Sequence, residues 1–136
     1  MKIGTTLKLD VWGESHAPAI GMRLEGFPAG EAVDRAALQA FMERRAPGRD
    51  AFSTARKEPD VPEFHQGLGP DGVTTGDAIE AIIRNTDTRS RDYEKTVPRP
   101  GHADSPNYVK TGRIPPGGGA NSGRLTAAMC IAGGLC

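Results

Sequence analysis

The sequence predicts an α+β fold, and three observations carry that expectation. Residues 6–12 alternate apolar Leu7, Leu9 and Val11 with polar neighbours, the period of a half-buried strand. Ala37, Leu38, Phe41 and Met42 recur at helical spacing, and an apolar run over 125–136 ends the sequence as a second long helical candidate. A chain of 136 residues suffices for one domain, which buries roughly two thirds of its unfolded surface.

Taken in order, the first strand ends at Gly13, and residues 21–25 alternate again at Met22 and Leu24 before Gly26, Pro28 and Gly30 break the pattern. The two segments read as a hairpin or strand return around a loop over 14–19. Asp34 is placed to cap the first helix, whose last turn carries Arg44 and Arg45 and which Pro47 and Gly48 stop. Residues 61–68 read as a weak strand closed by Gly67, Gly69, Pro70 and Gly72. Over 78–84, Ile79, Ala81 and Ile83 suit a strand, although Asp77 could instead cap a short helix; the strand is preferred. A polar, basic loop over 85–101 carries Arg89, Arg91, Lys95 and Arg99.

Ser105 and Pro106 fit the cap and first position of a short helix through Lys110. Gly117, Gly118 and Gly119 then lead to Asn121 or Ser122 as cap of the last helix. Leu125, Ala127, Ala128, Met129, Ile131 and Leu135 make that helix apolar nearly all round, which predicts that it belongs inside a larger core.

Seventeen Lys and Arg balance seventeen Asp and Glu, so no global field draws the chain to nucleic acid or to an anionic membrane. With aromatics at only 5%, base stacking on single strands has little to work with. Any anion site is local, and Arg, the residue suited to forked binding of phosphate and carboxylate, clusters around 44–56 and 84–124. Cys130 and Cys136 form neither a C-x-x-C pair nor a cluster with His, so reduced thiols are expected and no metal site. Leu7, Leu9 and Val11 are interrupted by Lys8 and Asp10, unlike a signal peptide, and the apolar run after 125 is shorter than the roughly 20 residues that span a bilayer. A cytoplasmic location follows.

The segment GGGANSGR at 117–124 is a glycine-rich turn ahead of a helix, a candidate phosphate seat of backbone amides and helix dipole. It is no dinucleotide fingerprint, because Ser122 stands where that pattern needs glycine. Nor is it a P-loop, since Arg124 and Leu125 follow Gly123 in place of Lys and Ser or Thr. A flexible turn is the plainer alternative. His16 and His102 fall in loops and His65 in the weak strand; their imidazoles suit proton transfer, but position alone selects none of them. Arg44 and Arg45 admit a plain reading too, as compensation of the negative helix end. Together these features suggest an enzyme acting on phosphorylated, carboxylated substrates.

The strings WGESHAPAIG at 12–21, ERRAPG at 43–48, RKEPD at 56–60, TTGDAIEAIIRNTDTRSRDY at 74–93, RPGHAD at 99–104 and GGGANSGRLTA at 117–127 resemble chorismate synthase in order and spacing. The resemblance spans essentially the whole chain. It implies a sandwich of helices and sheets, assembly as a homotetramer, and a 1,4-trans elimination of phosphate from 5-enolpyruvylshikimate 3-phosphate that needs reduced FMN without net redox change. It further implies that His16 donates a proton to the flavin and that His102 protonates the departing phosphate. Arg45 matches the middle arginine of the family's triple-Arg run, which contacts phosphate groups and is linked with NADPH as flavin reductant in bifunctional members. Arg44, Arg45, Arg49 and Arg124 are the expected substrate-binding residues. Ala120, Asn121, Ser122 and Arg45 are the expected flavin-binding residues.

Three departures from the family pattern stand out. Ala46 replaces the third arginine, Ala51 stands where a further arginine is usual, and Ala120–Asn121–Ser122 replaces Arg-Ser-Ser. The family's later flavin and substrate residues, including an aspartate near its C-terminus, are not among these 136 residues. The expectation is therefore the N-terminal portion of a single domain, inactive alone. A non-catalytic anion-binding remnant is the alternative, and a nucleic-acid binder ranks third.

Overall fold

The computed structural model describes residues 1–46, 58–86 and 97–136. Its described strands are β1 (Lys2–Ile3), β2 (Lys8–Gly13), β3 (Ala19–Glu25), β4 (Glu63–Gln66) and β5 (Ile79–Arg84). They form one antiparallel sheet in the order β1-β2-β3-β5-β4. The helices are α1 (Arg35–Arg45), α2 (Asp104–Thr111) and α3 (Thr126–Leu135). The α+β class holds.

Register explains the core. Leu9 pairs with Leu24 and Leu24 with Ile79, while Val11 pairs with Met22 and Met22 with Ala81. Residues directly opposite share a face, so these side chains form one apolar layer, joined by Ile20 and Ile83. Leu38 and Met42 of α1 and Ala127, Ala128, Ile131 and Ala132 of α3 complete it. The other face is laced with ion pairs, Arg23 with Glu25 and Glu80, and Arg84 with Glu63.

The hairpin of β2 and β3 is as expected, although β3 begins at Ala19 rather than 21. Residues 79–84 form a strand and not a helix. Asp34 caps α1, its Oδ1 accepting from the amides of Ala36 and Ala37 at 2.9 Å each. The expected stop at Pro47 and Gly48 lies outside the described residues; Ala46 is the cap residue.

Two expectations are corrected. Helix α2 starts at Asp104, with Ala103 and not Ser105 in the cap position. Pro106 is then its third residue, tolerated because the first helical amides lack intrahelical partners anyway. Its end is set by Gly112, left-handed at φ 70°, whose amide donates to Tyr108. Helix α3 does not open directly from the glycine run: two 3-10 turns, Gly119–Asn121 and Gly123–Leu125, intervene, the second capped by Ser122. Helix α1 and the sheet bury Ala127, Ala128, Ile131 and Ala132 of α3. Met129 and Cys130 stay half-buried and Cys136 exposed.

Candidate active site

His16 sits in the turn between β2 and β3. Ser15, itself buried, places its Oγ 3.0 Å from His16 Nδ1, and the Ser15 amide donates to the Gly119 carbonyl at 3.2 Å. The hairpin turn is thus tied to the glycine run. The closest approach is at Gly117, whose φ is +63° and where a Cβ would lie 2.5 Å from His16 Cε1 and 2.7 Å from Nδ1. Only glycine accommodates both that dihedral and that ring.

The second histidine is linked to the same glycine through Arg99. Arg99 Nη2 donates to the Gly117 carbonyl at 2.5 Å and to Asp104 Oδ1 at 2.8 Å, while Arg99 Nε donates to Asp104 Oδ2 at 2.6 Å. Asp104 Oδ1 also lies 2.8 Å from His102 Nδ1. A carboxylate only accepts, so Nδ1 carries the proton and Nε2 is the position at which His102 gives or takes one. Arg99 Nη2, 3.2 Å from Nδ1, is also a donor and acts there as a neighbouring charge. Arg99 holds the Asp104 carboxyl well below the usual carboxylate range; its side-chain hydrogen bonds outweigh the opposing effect of burial, and its backbone amide and His102 add to them. Asp104 therefore stays ionised and fixes the His102 ring.

The arginines divide. Arg44 stacks over Phe41, its Cζ 4.5 Å from the ring centroid, away from these contacts. Arg45 turns inward: Nε donates to Thr126 Oγ1 at 3.1 Å, Nη1 to Asp60 Oδ2 at 2.8 Å and Nη2 to the Gly123 carbonyl at 3.3 Å. Arg124 is buried, with Nε at 2.9 Å from Glu58 Oε2 and 3.0 Å from Asn85 Oδ1, and Nη1 on Asp60 Oδ1. Its Nη2 is buried and has no partner among the described residues. Arg49 and Ala51 lie outside the described residues.

The glycine-rich segment is less open than a helix-start phosphate seat. The amides of Asn121 and Ser122 donate to the Gly118 and Gly119 carbonyls at 3.0 and 3.3 Å, and that of Arg124 to Ser122 Oγ at 3.2 Å. Those donors are spent locally. Ala120 and Asn121 are exposed and Ser122 half-buried.

The structure thus sets His16 against Gly117, links His102 to the Gly117 carbonyl through Arg99, and brings Arg45 and Arg124 together around Asp60. Sequence reasoning did not single out Arg99, Asp104, Asp60, Glu58 or Asn85, although each lies in one of the quoted strings. Among the described residues no group of three or more His, Cys, Asp and Glu is placed to hold a metal ion, and no helix is long and apolar enough to cross a membrane.

Known proteins share this arrangement of segments. The chain is similar to the chorismate synthase of Lancefieldella parvula, 46% identical over 136 positions that cover 97% of this chain and 36% of the relative. It is likewise similar to that of Rhodospirillum rubrum, 47% identical over 135 positions that cover 97% of this chain and 37% of the relative. A crystal structure of chorismate synthase superposes with a TM-score of 0.62 at 23% identity, over 97% of this chain and 33% of that one, which supports the fold. The chain spans about a third of the length of these proteins. Because the chorismate synthase family model matches residues 7–136, from the first long strand through the last helix, the chain belongs to the chorismate synthase family.

Proposed function

We propose that this chain carries the two-histidine part of a chorismate synthase active site, in a carbon-oxygen lyase that converts 5-enolpyruvylshikimate 3-phosphate to chorismate with reduced FMN. The carrying observation is that His16 lies against Gly117 while Arg99, which touches His102, holds the carbonyl of the same glycine. An elimination of phosphate needs a proton for the leaving group. His102, oriented by an ionised Asp104, offers one at Nε2. Arg99 beside it supplies a positive charge where the departing phosphate gathers negative charge. His16, braced at Nδ1 by Ser15, is the second proton carrier.

The residues present fit a flavin. The buried Nη2 of Arg124, without a partner among the described residues, is a donor suited to an anionic oxygen, and Ala120 and Asn121 are accessible. Ala120, Asn121, Ser122 and Arg45 would hold the cofactor, with Arg45 bracing the Gly123 carbonyl behind them. When bound, reduced FMN supplies electron density that helps the phosphate leave. Arg44, Arg45, Arg49 and Arg124 are the proposed substrate-side cations. NADPH as flavin reductant, a homotetramer and a cytoplasmic location, with neither nucleic acid nor membrane as partner, belong to the same proposal.

Anaerobic assay of the protein carrying this chain tests the reading. Chorismate should form with reduced FMN and not with oxidised FMN. Equal turnover with oxidised flavin, or with none, refutes the reading.

A further inference from the structure

Asn85 lies just beyond the end of β5 and spends its backbone N–H and both ends of its carboxamide. Its amide donates to the Pro18 carbonyl at 2.9 Å, and its Nδ2 donates to the carbonyls of Glu14 at 3.1 Å and Ala17 at 2.7 Å. Three carbonyls flanking His16, on both sides of it in the turn, are therefore held by one residue. On the opposite edge of the carboxamide, Oδ1 accepts from Arg124 Nε at 3.0 Å. These partners fix the amide orientation, because a flip would set NH2 against a guanidinium and C=O against two carbonyls.

Arg124 is in turn locked by Glu58 and Asp60, neither of whose side chains is exposed. Asn85 is thus a rigid link from a buried ion network to the turn that carries His16, which the hairpin, Ser15 and the Glu14–Arg113 pair also hold. We infer that Asn85 is the positioning residue of His16, fixing the turn so that the imidazole stays against Gly117. The inference rests on the functional reading above for its kinetic consequence, and on geometry alone for its structural one.

Asparagine suits the position chemically. Aspartate matches its shape but offers acceptors only, so it would keep the Arg124 contact and repel both turn carbonyls. Glutamine would overreach by a methylene. Hence Asn85→Asp should behave as Asn85→Ala does toward the turn while leaving the ion network paired.

The test is carried out on the protein carrying this chain, with both variants. Histidine ring resonances in the NMR spectrum report the turn directly: the His16 signals should shift and broaden in both variants while those of His102 keep their positions. In the lyase assay kcat should fall about a hundredfold, the scale of a misplaced catalytic group, with KM within about twofold of the unsubstituted protein. Unchanged His16 signals would overturn the inference, as would equal disturbance of both histidines. Loss of the folded state in both variants would also overturn it, making Asn85 a general stabilising residue. If the unsubstituted protein has no lyase activity, the functional reading fails while the His16 resonances still decide the role of Asn85.

Discussion

Asp60 and Arg124 meet where solvent does not reach, their side chains 0% and 3% exposed, and the same carboxylate reaches Arg45 with its other oxygen. With Glu58 the group has two positive and two negative charges. Buried ion pairs need not stabilise relative to an apolar core, but breaking one from a single side leaves an uncompensated charge, at a cost of about 3–5 kcal/mol. Asp60→Ala should therefore lower the denaturation free energy by about that amount. Asn is among the residues that best tolerate a left-handed backbone, and Asp60 has φ 48°. Asp60→Asn separates the charge from the conformation. A urea-melt midpoint for Asp60→Asn equal to that of the unsubstituted protein would show that the charge does not matter.

Arg45→Lys should be nearly as damaging as Arg45→Ala. The guanidinium contacts three separate partners, Thr126, Asp60 and the Gly123 carbonyl, through three nitrogens. An ammonium is a single point on a flexible stem and cannot span them. Comparison of the two variants by thermal melting and by flavin titration checks this. Full recovery with lysine would return Arg45 to the simpler role of compensating the α1 helix end.

How much of this was legible in the sequence depends on the range over which each feature is encoded. The Asp34 cap and the strand alternation at Leu9, Val11, Met22 and Leu24 are local, and both could be read directly. The family strings located His16 and His102. Strand β1, with only two residues, is too short to display a period. Arg124 with Asn85 or Asp60, and Arg45 with Thr126, are joined across 39, 64 and 81 positions, so no window along the chain displays them. Arg124 was expected among the substrate-binding residues, and its buried partners Glu58, Asp60 and Asn85 were out of view. The start of α2 was misplaced for a related reason: Asp104 is bound to Arg99 and His102 before the helix turns, whereas Ser105 carried the stronger local capping signal.

Acid should weaken the Arg99–Asp104–His102 group in a defined window. The Asp104 carboxyl is held below its unfolded value of 3.8, principally by Arg99. A depressed carboxyl contributes stability that is fully present above the unfolded value and is lost as pH falls through the folded one. The advantage of the unsubstituted protein over Asp104→Asn should therefore be constant from pH 7 to about pH 5 and shrink below about pH 4. Denaturation curves across that range check it, and an advantage unchanged by acid would contradict the pairing.

Within the proposed reaction, His102→Ala should lower turnover by roughly a hundredfold or more, as loss of a general acid does. Asp104→Asn should lower it less, because the imidazole remains but the partner that fixes its tautomer is weakened. Steady-state kinetics on both variants provide the check. A larger loss from Asp104→Asn than from His102→Ala would mean that the carboxylate itself takes the proton.

Gly117→Ala should impair the site beyond its cost in backbone strain, and Gly112 provides the control. Both glycines are left-handed, at φ +63° and +70°. A Cβ at Gly112 would meet nothing within 4 Å, whereas at Gly117 it would meet the His16 ring at 2.5 Å and Ser15 Oγ at 3.0 Å. The conformational penalty is common to the two and amounts to about 1–2 kcal/mol for an L-residue. Gly112→Ala should show that loss of stability with turnover little changed. Gly117→Ala should add a steric term, because the imidazole must swing away or the turn must retreat, and either movement separates His16 from the carbonyl that Arg99 holds. Turnover should then fall at least tenfold further than in Gly112→Ala, with His16 resonances displaced. Equal kinetics in the two variants would show that His16 does not depend on its contact with Gly117, and the link from His16 through Gly117 and Arg99 to His102 would lose its functional meaning.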